Sequence, residues 1–346
     1  MADFFTLRTV SWDRGGVKMI DQAALPTTFR RVRYTTPEGV AAAIKTMVVR
    51  GAPAIGVAAA MGVALAAVNS RARTKGEFIK NLNSAAELLR STRPTAVNLF
   101  WGIDRVLSTA QEGSSVDEAR KRVVAEVKRM EDEDVEVNRS LGSVGADLLE
   151  DGDTVLTQCN AGALATVGYG TALGVVRAAK ERGKCISVLV PETRPALQGS
   201  RLTAFELSRD GIDCRIIPDT AVGFVMAQKK VDKVIVGADR ITRDGFVFNK
   251  IGTYQVAVLA HRHGVPFYSA APRSTFDLTH LHSEVTVEER PFEEVVRIRG
   301  RRIAPKGVPV SNPAFDVTPP ELVGAIITDR GLVLRPIAKN IPHVIS

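Results

Sequence analysis

Asp239 is the first residue of this chain whose surroundings suggest chemistry. It follows the apolar run Val234–Val236 and the two small residues Gly237 and Ala238. Such a run is typical of a strand buried on both faces of a parallel sheet. Ligands bind outside the carboxyl ends of such strands, so Asp239 is a candidate acid in a binding site. The alternative is that Asp239 only caps a following helix.

The residues after Asp239 are rich in groups that bind anions or transfer protons. They are predicted to share one loop with it: Arg240, Asp244, Asn249 and Lys250. Of these, Asn249 and Lys250 would suit the oxygen atoms of a sugar or a phosphate.

Cys159 occupies an equivalent place after another predicted strand, Thr154–Thr157, and small residues flank it. A thiol close to a cation or a helix N-terminus has a lowered pKa and can take part in proton transfer. An inert, buried cysteine is the commoner alternative. We expect that inert role for Cys185, placed inside a strand, and for Cys214.

An anion site is expected at the turn formed by Arg50, Gly51 and Ala52, because Pro53 can begin a helix directly after it. Free backbone N–H groups at a helix N-terminus attract negative charge, and the guanidinium of Arg50 would lie beside them. Gly51 would let a ligand approach closely. A plain turn between two helices is the alternative.

Two further segments add polar groups. Glu192–Arg201 follows the predicted strand Ile186–Val190 and contains Gln198, and Arg93 stands just ahead of another predicted helix. The carboxyl ends of parallel strands share one sheet edge. We therefore expect one pocket, with a thiol, an acid and anion donors, formed by the Arg50–Ala52 turn and the loops holding Cys159, Gln198, Asp239 and Lys250. Such a pocket suits proton transfer on a small phosphorylated substrate.

The elements that must position these residues fall into two regions. Before Gly113 the sequence predicts helices and a hairpin around Asp13–Gly16, and Ser115 is expected to cap a long charged helix. After Gly152, short apolar runs alternate with helical segments, which predicts a parallel sheet with helices on both faces. Glycines 168–174 come too late after the strand at Thr154–Thr157 for a dinucleotide fingerprint, and we expect them within a packed helix.

The composition narrows the class of protein. The chain has 346 residues, 45% hydrophobic and 24% charged, with a net charge of +8. Its basic residues are spread along the chain, so we expect no nucleic-acid partner, and Arg297–Arg302 is predicted to be a solvated hairpin. Ala52–Val68 is expected to be a core helix rather than a membrane span. Three separated cysteines and the lack of a recognisable signal peptide favour the cytoplasm. No metal or cofactor motif is recognised.

Six segments together resemble the methylthioribose-1-phosphate isomerase family of methionine salvage, which shares its fold with the regulatory subunits of eukaryotic initiation factor 2B. They are RTVSWDRGGVKMIDQAALP, TMVVRGAPAIGVAAA, TQCNAGALATVGYGTALGVVRAA, ETRPALQGSRLTAFEL, VIVGADRITRDGFVFNKIGTYQVAVLA and SNPAFDVTPPELVGAIIT. The resemblance implies an α/β fold with a mostly helical N-terminal domain over 1–114 and a Rossmann-like parallel-sheet C-terminal domain over 115–346. It also implies a homodimer without a cofactor.

The resemblance assigns roles residue by residue. It implies that Asp239 is the catalytic acid and Cys159 the catalytic cysteine of an aldose–ketose isomerase. The positions it implies for substrate binding are Arg50, Gly51, Ala52, Arg93, Gln198, Asn249 and Lys250.

Some residues depart from the family pattern and leave the 5-substituent of the sugar open. Gln158 stands where a His is common, Pro191 precedes Glu192 where an Asp often stands, and Phe246 and Phe248 follow the acid where smaller or polar residues are usual. Isomerases of 5-deoxyribose 1-phosphate or of ribose 1,5-bisphosphate remain alternatives. A non-catalytic initiation-factor-like regulatory subunit is a further one.

Overall fold

The computed structural model describes residues 3–93, 96–298 and 300–345. Pro94 and Thr95, in the segment ahead of the predicted helix, and Arg299 of the predicted hairpin lie outside the described residues. In chain order the strands are β1 (Val10–Asp13), β2 (Gly16–Ile20), β3 (Arg31–Tyr34), β4 (Thr154–Leu156), β5 (Ser187–Pro191), β6 (Asp213–Ile217), β7 (Lys233–Val236), β8 (Arg240–Thr242), β9 (Val247–Lys250), β10 (Phe267–Ala270), β11 (Phe276–Asp277), β12 (Arg297–Ile298), β13 (Arg301–Arg302), β14 (Phe315–Thr318), β15 (Ala325–Thr328) and β16 (Gly331–Leu334). The α-helices are α1 (Pro37–Lys45), α2 (Ala52–Asn69), α3 (Lys75–Arg90), α4 (Val97–Glu112), α5 (Val116–Ala146), α6 (Ala172–Glu181), α7 (Ala204–Arg209), α8 (Val222–Ala227), α9 (Thr253–His263), α10 (Glu293–Val296) and α11 (Ile337–Ile345).

Helix α2 lies at the centre of the N-terminal region. It has the length and apolar composition of a membrane span, but 83% of it is buried inside the protein. Small residues let it touch its neighbours closely, since a Cβ on Gly102 of α4 would lie 2.3 Å from the carbonyl oxygen of Gly56. Because it is packed on all sides, its first turn is held rigidly against the second half of the chain.

The long helix α5 belongs to two cores. Its first half contributes Val123 and Val127 to the helical core, and its second half contributes Leu141 and Ala146 to the core beneath the parallel sheet. Ser115 caps it by accepting from the N–H of Glu118 at 3.2 Å, as expected. A division of the chain at residue 114 stays a prediction, because α5 packs against both regions.

The predicted parallel sheet is confirmed. Its order is β16-β15-β10-β7-β4-β5-β6, and only the edge strand β16 runs antiparallel to its neighbour. Side chains alternate between two cores: Val234 and Val236 pack with α8 and α9, whereas Ile235 packs with α6. Both faces are therefore covered, as the continuous apolar strands predict.

Residues 240–250 differ from the sequence prediction. They form an antiparallel pair, β8 and β9, inside a second sheet of order β11-β8-β9-β14, instead of a single loop. Asp239 consequently precedes a strand and caps no helix. The pairing of β9 with Phe315–Thr318 joins segments far apart in the sequence, which local patterns could not indicate.

Smaller expectations are corrected as well. Cys185 lies outside the strands and is exposed, not buried. Gly168 and Gly170 precede α6 rather than lying within it, and only Gly174 packs closely in that helix, beside Gly142. The solvated hairpin predicted near Arg297–Arg302 is confirmed as β12 and β13.

Candidate active site

A cavity of about 860 Å³, including its open mouth, lies at the carboxyl ends of β4, β5 and β7. The carboxyl ends of the strands are where open α/β sheets bind ligands. The residues to which the family resemblance assigns a catalytic or substrate-binding role all line it: Arg50, Gly51, Ala52, Arg93, Cys159, Gln198, Asp239, Asn249 and Lys250. The structure thus brings the sequence-predicted residues together in one place, although their individual roles remain proposals.

The first turn of α2 forms one wall of the cavity. Gly51 precedes it at φ 94, with no side-chain cap and no acidic residue in that turn. A Cβ on Gly51 would lie 2.4 Å from the carbonyl oxygen of Ala165, so only glycine fits there. The uncapped backbone N–H groups are therefore available to an anion.

Arg50 is fixed by residues that sequence reasoning did not single out. Its Nη2 donates to the backbone oxygen of Asn160 at 2.9 Å and also to the side-chain Oδ1 of that residue. Its Nε donates to Oε1 of Gln22 at 3.3 Å. Both residues lie inside segments that carry the family resemblance, Asn160 directly after Cys159 and Gln22 near the end of the first segment, but no role was assigned to either.

The cavity carries positive charge that the protein does not balance with ion pairs. Over 3–93, 96–298 and 300–345, no salt bridge involves Arg50, Arg93 or Lys250. Such a cluster is suited to a phosphate group, whose charge would compensate it. Gln198 offers a second hint, because its Oε1 is buried and has no hydrogen-bond partner among the residues that the structure describes. A sugar hydroxyl could donate to it.

Asp239 combines burial with neighbouring cations. Burial raises the pKa of its carboxyl above the ordinary value, and Arg93, Arg50 and Lys250 act in the opposite direction without cancelling the effect. The nearby Glu288 raises the pKa further. Its side chain is partly exposed and lines both this cavity and a smaller neighbouring one. Asp239 can therefore keep a proton at a pH where an exposed aspartate has lost it.

Cys159 is protonated for the same reason. Burial raises the pKa of its thiol, which is 8% exposed, while Arg50 and Lys250 partly oppose the shift. The sequence-based idea that a nearby cation lowers this pKa is therefore wrong in direction, because desolvation outweighs the cation.

Other polar side chains of the same loops form hydrogen bonds within the protein instead of lining the cavity as free groups. Arg201 donates to the backbone oxygen of Leu25 at 3.0 Å, and Arg194 donates to that of Val295 at 3.0 Å, so neither is free to orient a sugar. Asp244 accepts from the ring of His282 at 2.6 Å and does not line the cavity.

Sequence reasoning missed several lining residues. Met47 lies beyond the end of α1 at φ 57, and Arg290, Glu294 and Phe315 come from late in the chain. Met47 and Phe315 lie in segments that carry the family resemblance without an assigned role, and Arg290 and Glu294 lie outside those segments. Among the described residues, no group of three or more His, Cys, Asp or Glu side chains is arranged to hold a metal ion.

Comparisons with known proteins agree with this architecture. The family model for the initiation factor 2 subunit family matches residues 48–335, so the chain belongs to that family. A methylthioribose-1-phosphate isomerase of Thermosipho africanus is 51% identical and covers 96% of each chain. The crystal structure of 5-methylthioribose 1-phosphate isomerase from Pyrococcus horikoshii is 47% identical, with a TM-score of 0.92 over 99% of this chain and 96% of that one. A structure named as translation initiation factor eIF-2B, subunit delta, from A. fulgidus is 53% identical, with a TM-score of 0.88 over 98% and 99% of the two chains.

Substitution of Gly51 by alanine tests the anion site. The left-handed backbone costs a Cβ-bearing residue about 1–2 kcal/mol, and the contact with Ala165 also displaces the first turn of α2. We expect inorganic phosphate, measured by calorimetric titration, to bind at least about tenfold more weakly. Gly152→Ala is the matched control, since Gly152 has φ 87 in open space away from the cavity. Equal phosphate affinity in both variants would contradict the assignment.

Proposed function

We propose that the chain converts the aldose 5-methylthioribose 1-phosphate into the ketose 5-methylthioribulose 1-phosphate. The observation that carries the proposal is the placement of the Asp239 carboxyl, whose pKa desolvation raises, among three cations without ion pairs in the described residues, at the carboxyl edge of a parallel sheet. The similar proteins from Thermosipho africanus and Pyrococcus horikoshii bear the name of this activity.

Ring opening explains why an acid is needed. The phosphate sits on the anomeric carbon, so the sugar cannot open to a free aldehyde without help. Asp239 donates its proton to the ring oxygen as the bond from that oxygen to C1 breaks. Arg50 and the first turn of α2 hold the phosphate, and Arg93 and Lys250 offset its charge. Gln198 and Asn249 bind sugar oxygens.

The hydrogen on C2 must then move to C1. In a proton route, a base removes the proton from C2, an acid returns one to C1, the O2 proton is released as the ketone forms, and Cys159 acts as a relay. In a hydride route, the hydrogen moves with its electron pair and the O2 proton is released. Cys159 is then part of the cavity wall. The sulfur of Cys159 has the same location in either route.

The similar structure named as an initiation factor subunit raises a second candidate, a regulatory subunit without catalysis. A binding role has no need for a protonated acid and a protonated thiol in one cationic cavity. Within the enzyme class, ribose 1,5-bisphosphate would need a second anion site. Arg290, the additional arginine of the cavity, already pairs with Glu294 at 2.5 Å and Glu288 at 3.4 Å. This pairing favours an uncharged 5-substituent.

We propose that the chain acts in the cytoplasm as a homodimer, without nucleic acid or membrane as a partner. Its cysteines are free, which suits a reducing compartment. Tyr254 and Val258, four residues apart on α9, are 45% and 40% exposed, and Phe224 of α8 is 62% exposed. Because α8 and α9 pack against each other, we take these exposed apolar groups as the candidate dimer interface.

The dimer is tested by sedimentation equilibrium with Phe224→Asp. A charge in an apolar interface is unfavourable, so we expect the intact chain to sediment as a dimer and the variant to dissociate at least about tenfold more readily. Phe292→Asp is the control, because Phe292 is exposed on a different segment. A monomeric intact chain would contradict the dimer.

The proposed reaction is tested by ketose formation from 5-methylthioribose 1-phosphate. We expect turnover by the intact chain and a loss of at least about 10²-fold in kcat for Asp239→Asn. If the route is proton transfer, we expect the kcat of Cys159→Ser to fall as strongly. The matched controls are Asp244→Asn and Cys185→Ser, which alter residues outside the cavity. If the intact chain turns over neither this sugar, 5-deoxyribose 1-phosphate nor ribose 1,5-bisphosphate, the regulatory role replaces the enzyme.

The pH dependence of kcat tests the state of Asp239. The protonated form is active, so the rate falls as pH rises through its raised pKa. Arg93 lowers this pKa and Glu288 raises it. Arg93→Met should therefore move the alkaline limb to higher pH, and Glu288→Gln should move it to lower pH. If the alkaline limb stays at the same pH in both variants, it reports the titration of a group other than Asp239.

A further inference from the structure

Cys159 and Thr193 share an uncommon backbone conformation. They have φ values of 61 and 64, both in the left-handed region. This region is unfavourable for residues with a Cβ, and a β-branched threonine there is a true outlier. Strained residues of this kind persist only where the surrounding structure holds them, and they cluster at functional sites.

The two residues are joined directly. The backbone N–H of Cys159 donates to Oγ1 of Thr193 at 3.0 Å, and that hydroxyl in turn donates to the backbone oxygen of Pro191 at 3.1 Å. Thr193 is 0% exposed. Its side chain therefore serves as a fixed link between the end of β5 and the loop that follows β4.

A third loop holds Thr193 in place. The carboxylate of Asp219, which follows β6, accepts from the N–H groups of Thr193 and Arg194, each at 2.7 Å. On the other side of the thiol-bearing residue, Oγ1 of Thr203 donates to the carbonyl oxygen of Cys159 at 2.6 Å. Both peptide groups of Cys159 are thus held by buried threonine hydroxyls.

We propose that Thr193 is a positioning residue that sets the place of the Cys159 thiol, an inference that rests on the isomerase function proposed above. Without its hydroxyl, the N–H of Cys159 has lost its partner and the left-handed conformation has lost its main support. The residue then relaxes toward negative φ, which moves Cβ and the sulfur out of their fixed, buried place in the cavity wall. Thr193 itself does not line that cavity, so it acts only through Cys159.

The decisive comparison is Thr193→Val with Thr193→Ser. Valine keeps the shape and removes the hydroxyl, whereas serine keeps the hydroxyl. We expect valine to lower kcat at least about tenfold while KM changes less than about twofold, and serine to restore most of the rate. Thr318→Val is the matched control, because Thr318 is also 0% exposed and its hydroxyl has no partner among the described residues. Equal rates for the valine and serine variants would overturn the proposal.

Thiol alkylation gives a second readout that needs no isomerase activity. Iodoacetamide modification of Cys159 is followed by peptide mass spectrometry, which separates it from Cys185 and Cys214. We expect Thr193→Val to raise the rate constant at Cys159 at least about threefold, since the thiol leaves its buried position, with Thr193→Ser at the parent rate. An unchanged rate constant in the valine variant would overturn the proposal, even if the intact chain proved inactive on every sugar.

Asp219→Asn tests the same linkage if Thr193→Val does not fold. The amide has one acceptor oxygen where the carboxylate has two, so one of the N–H groups of Thr193 and Arg194 loses its partner. We expect the same rise in Cys159 alkylation and the same fall in kcat at constant KM. Parent values for both quantities in this variant would contradict the linkage of the three loops.

Discussion

The site depends on keeping a carboxyl group protonated beside three cations. Burial favours the uncharged form of Asp239, while Arg50, Arg93 and Lys250 favour the charged one. Desolvation is the largest of these effects, because the carboxyl lies at the end of a strand covered on both faces. A phosphate bound near the cations would offset their charge and so favour the protonated acid further.

This arrangement requires that loops distant in sequence are held in fixed positions relative to one another. A buried ionic cluster helps to fix them: Arg177 contacts Glu206 at 2.7 Å and Asp210 at 2.6 Å, all three side chains being 0% exposed. Glu206 also accepts from Nδ2 of Asn160 at 2.9 Å, which turns the Oδ1 of Asn160 toward Arg50. Breaking a buried cluster of this kind typically costs about 3–5 kcal/mol. The guanidinium in the cavity is thus tied to the core beneath the sheet.

The sequence predicted those parts of the fold that local patterns determine. The apolar run at Val234–Val236 and the proline at the start of α2 each correspond to an observed element. Prediction from local patterns failed where the structure depends on segments that are far apart in the chain. β9 is a strand because Phe315–Thr318 pairs with it, and Cys185 is exposed because its predicted strand begins only at Ser187.

The candidate site was predictable to the same extent. Strand ends and the Arg50–Ala52 turn marked its outline, whereas Asn160, Met47 and Arg290 depend on tertiary contacts that no local pattern records. The pKa of Cys159 illustrates the limit, because the sequence shows the nearby cations but not the burial that outweighs them.

The central claim is that Asp239 holds a proton beyond the range of an ordinary aspartate, and infrared difference spectroscopy measures this directly. The stretching band of a protonated carboxyl is followed against pH in the intact chain and in Asp239→Asn. Burial also raises the pKa of Asp134 to about 7 and that of Asp316 to about 6, so their bands are common to both proteins and cancel in the difference. The account predicts a component that persists above pH of about 4, where exposed aspartates ionise, and that is missing from the variant. A spectrum in which Asp239 titrates with the exposed carboxylates would contradict it.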